Sequence, residues 1–308
     1  MDISTIIVSY NTYDLTVEAI SSALLSSPEM KSEVIVVDNN SPDESGRKLS
    51  ERFADQTDLV RIIQREDNVG FSAANNIGAS VATGDVLFFL NPDTVVKPGT
   101  LQSLHSFALS NSAAGAIGPL VLNADGTTQA SVGTNLTAAS MVKFYFPVSA
   151  IFRSSVSKEA ISPDATCEVD NVKGCAIAMR RNVFDEIGGW DESYFLYAEE
   201  RELCYACNLN GYKNYFLPEA SIIHYGGAST NLEDYAGQQV VQQQSALRFL
   251  ERHHARSLIL LNRVLGSVGF GIRSLTFGVL SLVTQKPDFK RRGEASRKLF
   301  AWFLFEYR

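Results

Sequence analysis

Apolar runs and helical stripes alternate along the first half of the chain, a pattern typical of strand–helix–strand units around a mostly parallel sheet. Between the runs, "TVEAISSALLS" places apolar side chains at Val17, Ile20, Leu24 and Leu25, the spacing of an amphipathic helix, and "SAANNIGASVA" predicts another helix. The runs that predict buried strands are "STIIVSY", "EVIVVDNN", "LVRII" and "DVLFFL". The pattern therefore indicates an α/β fold.

The helix boundaries are less regular. After the second strand, "SPDE" predicts a helix that begins with Ser41 as N-cap, Pro42 at the first position and Glu44 closing a capping box. Residues 123–168 are rich in Ser, Thr and Ala and predict a long loop. From about residue 240 the chain is expected to be helical, which places a boundary there.

Polar residues follow the predicted strands where each strand ends. Asp38 ends the second strand, Asn68 lies beyond the third, and Asn91 and Asp93 end the fourth. Open α/β sheets bind ligands beyond the carboxyl ends of their strands. A carboxylate such as Asp93 could hold Mg²⁺ or Mn²⁺ there, although Asn-Pro-Asp is also a common turn and helix start.

An acidic segment, "GGWDESYFLYAEERELC", combines Glu199, Glu200 and Glu202 with several aromatic residues. A carboxylate among aromatic side chains is partly desolvated, which raises its pKa and makes it a better proton acceptor near neutral pH. The alternative is a helix N-terminus whose acidic residues complement the helix dipole.

His224 and a pair of cysteines have two interpretations each. His224 closes the apolar run "ASIIH" before a glycine-rich loop, which suits a metal or phosphate contact, but a lone histidine is more often structural. Cys204 and Cys207 form a C-x-x-C inside a helical pattern with no second ligand pair near them in sequence. A structural role is favoured over zinc or redox chemistry.

Charge is unevenly distributed along the 308 residues. The net charge of −7 combines −15 over residues 1–247 with +8 over residues 248–308. The basic residues lie beside long apolar runs and match no nucleic-acid-binding motif, so no nucleic acid partner is expected and a membrane surface fits better. No secretory signal is visible in "MDISTIIVSYN", which favours a cytoplasmic location.

Residues 258–283 are apolar enough to suggest a membrane, but Arg263 and Arg273 interrupt them. A spanning helix needs about 20 mostly uncharged residues, so an attachment along the membrane surface is favoured. The basic residues 290–292 would then contact anionic lipid. The alternative is a helix that packs within the protein or forms a homodimer.

Seven segments, taken in order, resemble the inverting, nucleotide-sugar-dependent glycosyltransferases of family two, especially the rhamnosyltransferase branch. The resemblance covers about residues 3–235 and implies a GT-A fold, with residues 1–115 as the nucleotide-binding half and 116–240 as the acceptor-binding half. Residues 241–308 would form a C-terminal helical region. The segments are "TIIVSYN", "EVIVVDNNSPD", "DNVGFSAANNIG", "FLNPDT", "GCAIAMRR", "GGWDESYFLYAEERELC" and "HYGGAST".

The resemblance also implies a site. Asp38 would contact the nucleotide base, and Asp93 and His224 would hold a divalent cation, Mg²⁺ or Mn²⁺, at the diphosphate; Asn91 replaces the first acid of the family's metal motif. Acceptor-binding residues would be Gly174, Trp190 and Asp191. The other residues expected to bind the nucleotide sugar are Ser9, Tyr10, Asn11, Asn68, Gly70, Phe71, Asn75 and Asn91.

For catalysis, the resemblance makes Glu200 the base that deprotonates the acceptor, with Glu199 and Glu202 beside it. The family usually has Asp at the position of Glu200, so this chain adds a methylene there. The implied activity is transfer of L-rhamnose from dTDP-rhamnose to a glycan or lipid-linked acceptor in cell-surface polysaccharide biosynthesis. Two alternatives stay open, a UDP-hexose-dependent enzyme and a non-catalytic sugar-nucleotide or glycan-binding module.

Overall fold

The computed structural model describes residues 1–133, 136–146, 165–226 and 235–307. These residues group into two compact units. The first contains residues 1–133, 165–195 and 199–226, and the second contains residues 136–146, 196–198 and 235–307. Each unit buries apolar clusters of its own.

The first unit is built on a mixed sheet, as the sequence predicts. Its strands, together with a small two-stranded ribbon (β7 and β9), are β1 (Ile3–Ser9), β2 (Ser32–Asp38), β3 (Val60–Gln64), β4 (Val86–Leu90), β5 (Thr94–Val96), β6 (Ala114–Leu122), β7 (Val132–Gly133), β8 (Cys167–Val169), β9 (Asn171–Val172), β10 (Ala176–Arg180) and β11 (Lys213–His224). Within the described residues the strand order is β3-β2-β1-β4-β10-β6-β11-β5, with β8 beside β11. The first four strands in that order are parallel, and β10 is antiparallel to β4 and β6.

Every residue of β1, β2 and β4 is buried, because apolar clusters cover both faces of the central sheet. This explains why these strands are near-continuous apolar runs rather than alternating ones. The helices of this unit are α1 (Tyr13–Ser26), α2 (Ser45–Arg52), α3 (Phe71–Val81), α4 (Thr100–Ser110), α6 (Arg181–Glu186) and α7 (Glu199–Leu209).

The parallel register places the candidate site at one edge of the sheet. Ser9 pairs with Asp38, Asp38 pairs with Gln64, and Ile7 pairs with the last residue of β4. The residues that follow these strands therefore meet at the carboxyl edge, where open α/β sheets bind ligands.

The second unit is helical, with α5 (Ala138–Tyr145), α8 (Tyr235–His253), α9 (Arg256–Thr284), α10 (Pro287–Ala301) and a π-helical turn at Trp302–Glu306. Tyr145 lies at its centre, with Phe270 and Phe303 edge-on to its ring at 5.7 Å and 5.9 Å between centroids. The buried Tyr145 hydroxyl lies 2.8 Å from Asn262 Oδ1. Burial raises the pKa of this tyrosine, so it stays a neutral donor.

Two expectations about helices are wrong. The helix after β2 begins at Ser45 rather than at Pro42, because Glu44 adopts a left-handed conformation (φ 64°) and Asp43 accepts the Ser45 backbone N–H. Ser41 therefore caps no helix. Within residues 123–168, expected to be a loop, α5 forms because Thr137 and Ser140 make a reciprocal capping box. The short strand β7 and the start of β8 also lie within this range, and residues 134–135 and 147–164 of it lie outside the described residues.

Candidate active site

Asp38, the expected base-reading residue, is held by Ser41. Its Oδ1 accepts the Ser41 hydroxyl at 2.6 Å and its Oδ2 accepts the Ser41 backbone N–H at 3.1 Å. The Asn11 backbone N–H donates to the same Ser41 hydroxyl oxygen at 2.9 Å. A Cβ on Gly46 would lie 2.7 Å from Asp38 Cγ, so only glycine lets α2 approach this carboxylate. The carboxylate is thus fixed between the turns that follow β1 and β2.

The two neighbours of Asn11 at the end of β1 differ in exposure. Ser9 is buried, and its hydroxyl bonds to the hydroxyls of Thr12 and Thr16 at 3.1 Å and 3.0 Å, so it ties β1 to the start of α1. Tyr10 is 40% exposed. Of these two residues, the Tyr10 ring is the one that a ligand at the sheet edge can reach.

Asn39, directly after Asp38, organises the next loop. Its Nδ2 donates to Asn68 Oδ1 at 2.8 Å, and its Oδ1 accepts the Val69 backbone N–H at 3.0 Å. Asn68 Oδ1 also accepts the Gly70 backbone N–H at 3.1 Å. Asn39 is buried, so these bonds fix the predicted Asn68–Gly70 segment over the ends of β2 and β3.

The start of α3 contacts the segment before α7 closely and is hydrogen-bonded to it. Gly70 has φ +84°, and a Cβ there would lie 2.7 Å from the Phe195 ring and 2.8 Å from the Phe195 carbonyl oxygen. That carbonyl accepts the Phe71 backbone N–H at 2.8 Å. Asn75 is buried and donates from Nδ2 to the Phe71 carbonyl at 3.0 Å. The predicted residues Gly70, Phe71 and Asn75 therefore shape this loop through their backbone and core contacts.

Trp190, predicted to bind the acceptor, is buried. Its ring stands edge-on to Phe89 at 5.1 Å, and its backbone N–H and C=O both bond to the Asn76 side chain, at 3.0 Å and 2.9 Å. The indole therefore supports the following turn from beneath. In that turn Asp191 Oδ1 accepts the Ser193 backbone N–H at 2.9 Å and is partly exposed.

Asp93 and His224 come together as the sequence expects. The antiparallel pairing of β5 with β11 sets Thr94 opposite His224, and Asp93 Oδ1 lies 3.3 Å from His224 Nε2. The other ring nitrogen, Nδ1, lies 2.7 Å from Gln129 Oε1. Gln129 donates its Nε2 to Asn123 Oδ1 at 2.9 Å and to the His224 carbonyl, which fixes the amide orientation. With the amide oriented in this way, Nδ1 donates to Gln129, and Nε2 faces Asp93.

Glu200 lies against Gly174. A Cβ on Gly174 would stand 3.4 Å from the Glu200 Cβ, an ordinary van der Waals contact, so the two residues are close neighbours. The neighbouring Cys175 accepts the Asn91 backbone N–H at its carbonyl. Burial, and then the negative charges of Asp93 and Glu200, raise the pKa of the Cys175 thiol to about 12. Asp93 and Glu200 thus act on one buried thiol from the same region of the site.

The other two acids of the segment do different things. Glu199 is 7% exposed, and among the described residues its Oε2 has no hydrogen-bond partner. Burial, and then the charge of Glu200, raise the pKa of the Glu199 carboxyl well above its usual value near 4.5. Glu202 Oε2 accepts the hydroxyl of the buried Tyr194 at 2.9 Å. The partly desolvated carboxyl expected in this segment is therefore Glu199.

Comparison with known families supplies the identity. The family model described as "Glycosyl transferase family 2" matches residues 4–188. The chain belongs to this family. Family membership makes the chain a glycosyltransferase.

Two curated relatives are rhamnosyltransferases. The chain is 26% identical over 237 residues to the N-acetylglucosaminyl-diphospho-decaprenol L-rhamnosyltransferase of Mycobacterium tuberculosis, covering 72% of this chain and 75% of that protein. It is 28% identical over 172 residues to the rhamnosyltransferase WbbL of Escherichia coli, covering 51% of this chain and 61% of that one. This glycosyltransferase is therefore rhamnosyltransferase-like.

The fold is shared with solved GT-A glycosyltransferases, as the resemblance implies. The mannosyltransferase PcManGT from Pyrobaculum calidifontis, in complex with GDP-Man and Mn²⁺, superimposes with a TM-score of 0.58 at 15% identity, covering 99% of this chain and 87% of that one. At this identity the likeness concerns the fold alone.

The glycosyltransferase's donor atoms fit a divalent cation. One Mg²⁺ or Mn²⁺ ion at about 2.1 Å from each ligand can be shared by an oxygen and a nitrogen about 3 Å apart. The 3.3 Å between Asp93 Oδ1 and His224 Nε2 is close to that separation, and Nε2 faces the carboxylate. Among the described residues no three His, Cys, Asp or Glu side chains gather to hold a metal. The protein offers two ligands, which leaves positions for water and phosphate oxygens.

Three polar residues of the glycosyltransferase site are absent from the sequence prediction: Ser41, Asn39 and Gln129. The first two lie within "DNNSPD", so their position after β2 was a usable signal. Gln129 lies in "TTQAS", far from His224 in sequence, and only the pairing of β6 with β11 brings it near. Residues 227–230 of the predicted "HYGGAST" motif lie outside the described residues.

Proposed function

We propose that this glycosyltransferase moves L-rhamnose from dTDP-rhamnose, with inversion, to a glycan or lipid-linked acceptor in cell-surface polysaccharide biosynthesis. The observation that carries the proposal is the Gly174–Cys175 segment. Glu200 packs against Gly174, and the Cys175 carbonyl holds Asn91, two residues before Asp93. The proposed base, Glu200, and the proposed cation ligand, Asp93, therefore both lie near this segment. A base and a cation are the two groups that a single displacement at an anomeric carbon requires.

The nucleotide end of the donor is assigned to the opposite side of the sheet edge. Asp38, fixed by Ser41, accepts hydrogen bonds from the base, and the exposed Tyr10 ring offers a surface for stacking. Asn39 and the Asn68–Gly70 loop form the wall between the base and the sugar.

In the transfer step, the acceptor hydroxyl gives its proton to the Glu200 carboxylate as its oxygen forms a bond to the anomeric carbon. The bond from that carbon to the diphosphate oxygen breaks, and its electron pair leaves with the nucleoside diphosphate. A divalent cation, Mg²⁺ or Mn²⁺, would supply charge neutralisation for this leaving group when bound by Asp93 and His224. Gln129 would keep the His224 ring oriented for this cation. Because the cation would neutralise the leaving group, no acid is needed on the leaving oxygen.

The assignment of rhamnose rests on the names of the two curated relatives. A UDP-hexose donor is the alternative within the family, and the residues at the nucleotide end are compatible with either base. The same M. tuberculosis relative is named for a decaprenol-linked substrate, which supports a lipid-linked acceptor. Such an acceptor favours a cytoplasmic enzyme attached peripherally to the inner face of the membrane, with residues 1–240 catalytic and 241–308 a helical attachment region or a homodimer contact.

A donor screen tests this function. The full chain, with Mg²⁺ or Mn²⁺ and an N-acetylglucosaminyl diphospholipid, is incubated with dTDP-rhamnose, UDP-glucose or GDP-mannose. We expect release of a nucleoside diphosphate from dTDP-rhamnose but not from UDP-glucose or GDP-mannose, and a product whose anomeric configuration by NMR is opposite to that of the donor. Preferential turnover of UDP-glucose would support the alternative donor, and retained configuration would refute the single displacement.

A further inference from the structure

A stripe of exposed aliphatic side chains runs along α9. Each is between 48% and 80% exposed. At 100° per residue, the positions fall within an arc of about 140° on one side of the helix. The residues of this α9 stripe are Leu260, Val264, Val268, Ile272, Leu275, Val279, Leu282 and Val283. Contiguous apolar surface of this kind marks an interaction site rather than ordinary exposed hydrophobic residues.

The opposite side of α9 is packed within the second unit. Gly266 leaves room for the Phe303 ring, and a Cβ on Gly269 would lie 3.0 Å from Tyr145. Asn262 and Phe270 are buried on the same side. The helix therefore has one side committed to protein packing and one side, the α9 stripe, directed outward.

The polar side chains of α9 do not interrupt this stripe. Arg263 donates from Nε and a terminal nitrogen to the carbonyls of Phe303 and Leu304, at 3.2 Å and 3.0 Å. Arg273 donates to the Phe144 carbonyl, and its guanidinium lies over the Phe270 ring at 5.2 Å. The two arginines that break the apolar run in sequence are thus turned toward the second unit.

Within the described residues, α9 is the helix long and apolar enough by length and composition to cross a membrane. A spanning α9 would carry both guanidinium groups and its packed partner α10 into hydrocarbon, at a high cost. A helix lying in the membrane plane buries only its stripe, and the arginines keep their carbonyl partners. The packing of α9 therefore favours the in-plane arrangement.

The charge of α10 indicates what covers the stripe. This helix packs along α9, with Phe289 stacked on Phe277 at 6.2 Å between ring centroids. Residues 286–298 carry a net charge of +4, and their exposed cations are Lys286, Lys290, Arg292, Arg297 and Lys298. Pairing two copies through the stripe would bring two such cationic helices together, and their charges would repel. An anionic bilayer would instead neutralise the positive charge of α10 in each copy.

We propose that the α9 stripe inserts, parallel to the membrane plane, into an anionic lipid surface, with the exposed cations of α10 contacting lipid phosphates. The inference rests on the proposed function only in that a lipid-linked acceptor makes attachment useful. The surface itself follows from exposure, packing and charge.

The test is flotation of the full chain with vesicles of phosphatidylcholine alone or mixed with phosphatidylglycerol. We expect binding to the mixed vesicles and release by high salt in part. Leu275→Ser with Val279→Ser should lower the partition coefficient roughly 10- to 100-fold, because aliphatic carbons leave the bilayer. Lys290→Gln with Arg297→Gln should lower it about fivefold per charge on anionic vesicles. Leu25→Ser, at a site 75% exposed on α1, is the matched control and should bind like the wild type.

Three results would overturn the proposal. The first is flotation of the stripe variant equal to that of the wild type. The second is a wild-type dimer, seen by sedimentation without vesicles, that the stripe variant converts to monomer. The third result concerns depth. Lipids brominated near the headgroup should quench the tryptophan fluorescence of Val264→Trp, Ile272→Trp and Val279→Trp to the same degree. A deeper position of Ile272→Trp than of the other two would mean that α9 spans the bilayer. Donor turnover in detergent-free solution, measured on the same variants, separates failure of attachment from failure of the proposed enzyme activity.

Discussion

Gln129 Oε1 lies 2.7 Å from His224 Nδ1, and this bond determines what His224 can offer to a ligand. Because the Gln129 amide nitrogen is committed to Asn123 and to the His224 carbonyl, the ring proton belongs on Nδ1. Nε2 then points at Asp93 Oδ1, 3.3 Å away. A proton or a cation between these two atoms relieves the contact of lone pairs.

Gln129→Leu removes the acceptor that orients this ring. We expect Mn²⁺ affinity, measured by calorimetry or EPR with the nucleoside diphosphate present, to fall about 10- to 100-fold, the usual effect of losing a bond that orients a metal-binding histidine. Asp93→Asn should remove the cation-dependent part of donor binding altogether. Gln102→Leu, on the exposed side of α4, is the control and should leave Mn²⁺ binding unchanged. Unaltered Mn²⁺ affinity in Gln129→Leu would mean that His224 is not a ligand.

Ser41→Ala removes the hydroxyl that donates to Asp38 Oδ1 and keeps the backbone N–H that donates to Oδ2. The variant should bind the free nucleoside diphosphate roughly 5- to 10-fold more weakly, the effect of one charge-assisted hydrogen bond. Asp38→Ala should weaken the free nucleoside diphosphate and the sugar nucleotide to the same degree. Ser106→Ala in α4 serves as the control. If either variant affected only the sugar nucleotide, Asp38 would read the sugar instead of the base.

Gly70→Ala tests the close contact between the start of α3 and Phe195, and Gly99→Ala is its comparison. Both Gly70 and Gly99 have positive φ, 84° and 79°, but a Cβ on Gly70 meets Phe195 at 2.7 Å, whereas one on Gly99 meets nothing within 4 Å. Gly99→Ala should cost about 1 kcal/mol of unfolding free energy from φ alone. Gly70→Ala should cost more, by about 1–3 kcal/mol, because its ψ of 174° lies in a region essentially restricted to glycine and because Phe195 must also move. Urea denaturation measures both, and equal losses would show that the Phe195 contact is adaptable.

The sheet edge could be predicted from sequence because local patterns decide it. A buried parallel strand is an apolar run in the sequence. A polar residue that follows such a run, such as Asp38 or Asp93, must therefore lie at the carboxyl edge of the sheet. What Ser41 does could not be predicted in this way. Its Ser-Pro-Asp-Glu context is a common helix start, but the Ser41 hydroxyl donates to Asp38 and accepts the Asn11 backbone N–H, and the helix begins only at Ser45. Gln129 and the burial of Trp190 depend on contacts between distant segments, which periodicity does not encode.

Glu199 gives the site a pH-dependent stability. Its pKa is raised in the folded state above the usual value near 4.5, so the folded chain holds a proton that the unfolded chain releases. The stabilisation is therefore complete below about pH 4.5 and is lost as pH rises toward the folded pKa. Glu199→Gln, which mimics the neutral acid, should flatten this decline and unfold at a higher temperature than the wild type near pH 8. A parallel pH profile for the two proteins in thermal melts would show that Glu199 is ionised when folded.

The remaining prediction concerns Glu200, the proposed base, which packs against Gly174. Its added methylene matters because a base must come within about 3 Å of the proton that it takes. Glu200→Gln should lower kcat by roughly 100- to 10,000-fold, the usual contribution of general-base catalysis, while donor affinity stays nearly unchanged.

Glu202→Gln is the matched control for this prediction, because its carboxylate accepts the Tyr194 hydroxyl and an amide oxygen can do the same. It should change kcat little. Glu200→Asp keeps a carboxylate and should therefore retain part or all of the wild-type rate that Glu200→Gln loses. An inert structural role for Glu200 would not explain this difference between the two variants. A Glu200→Gln enzyme that keeps most of its kcat, while Glu199→Gln or Glu202→Gln loses it, would move the base to another carboxyl of α7.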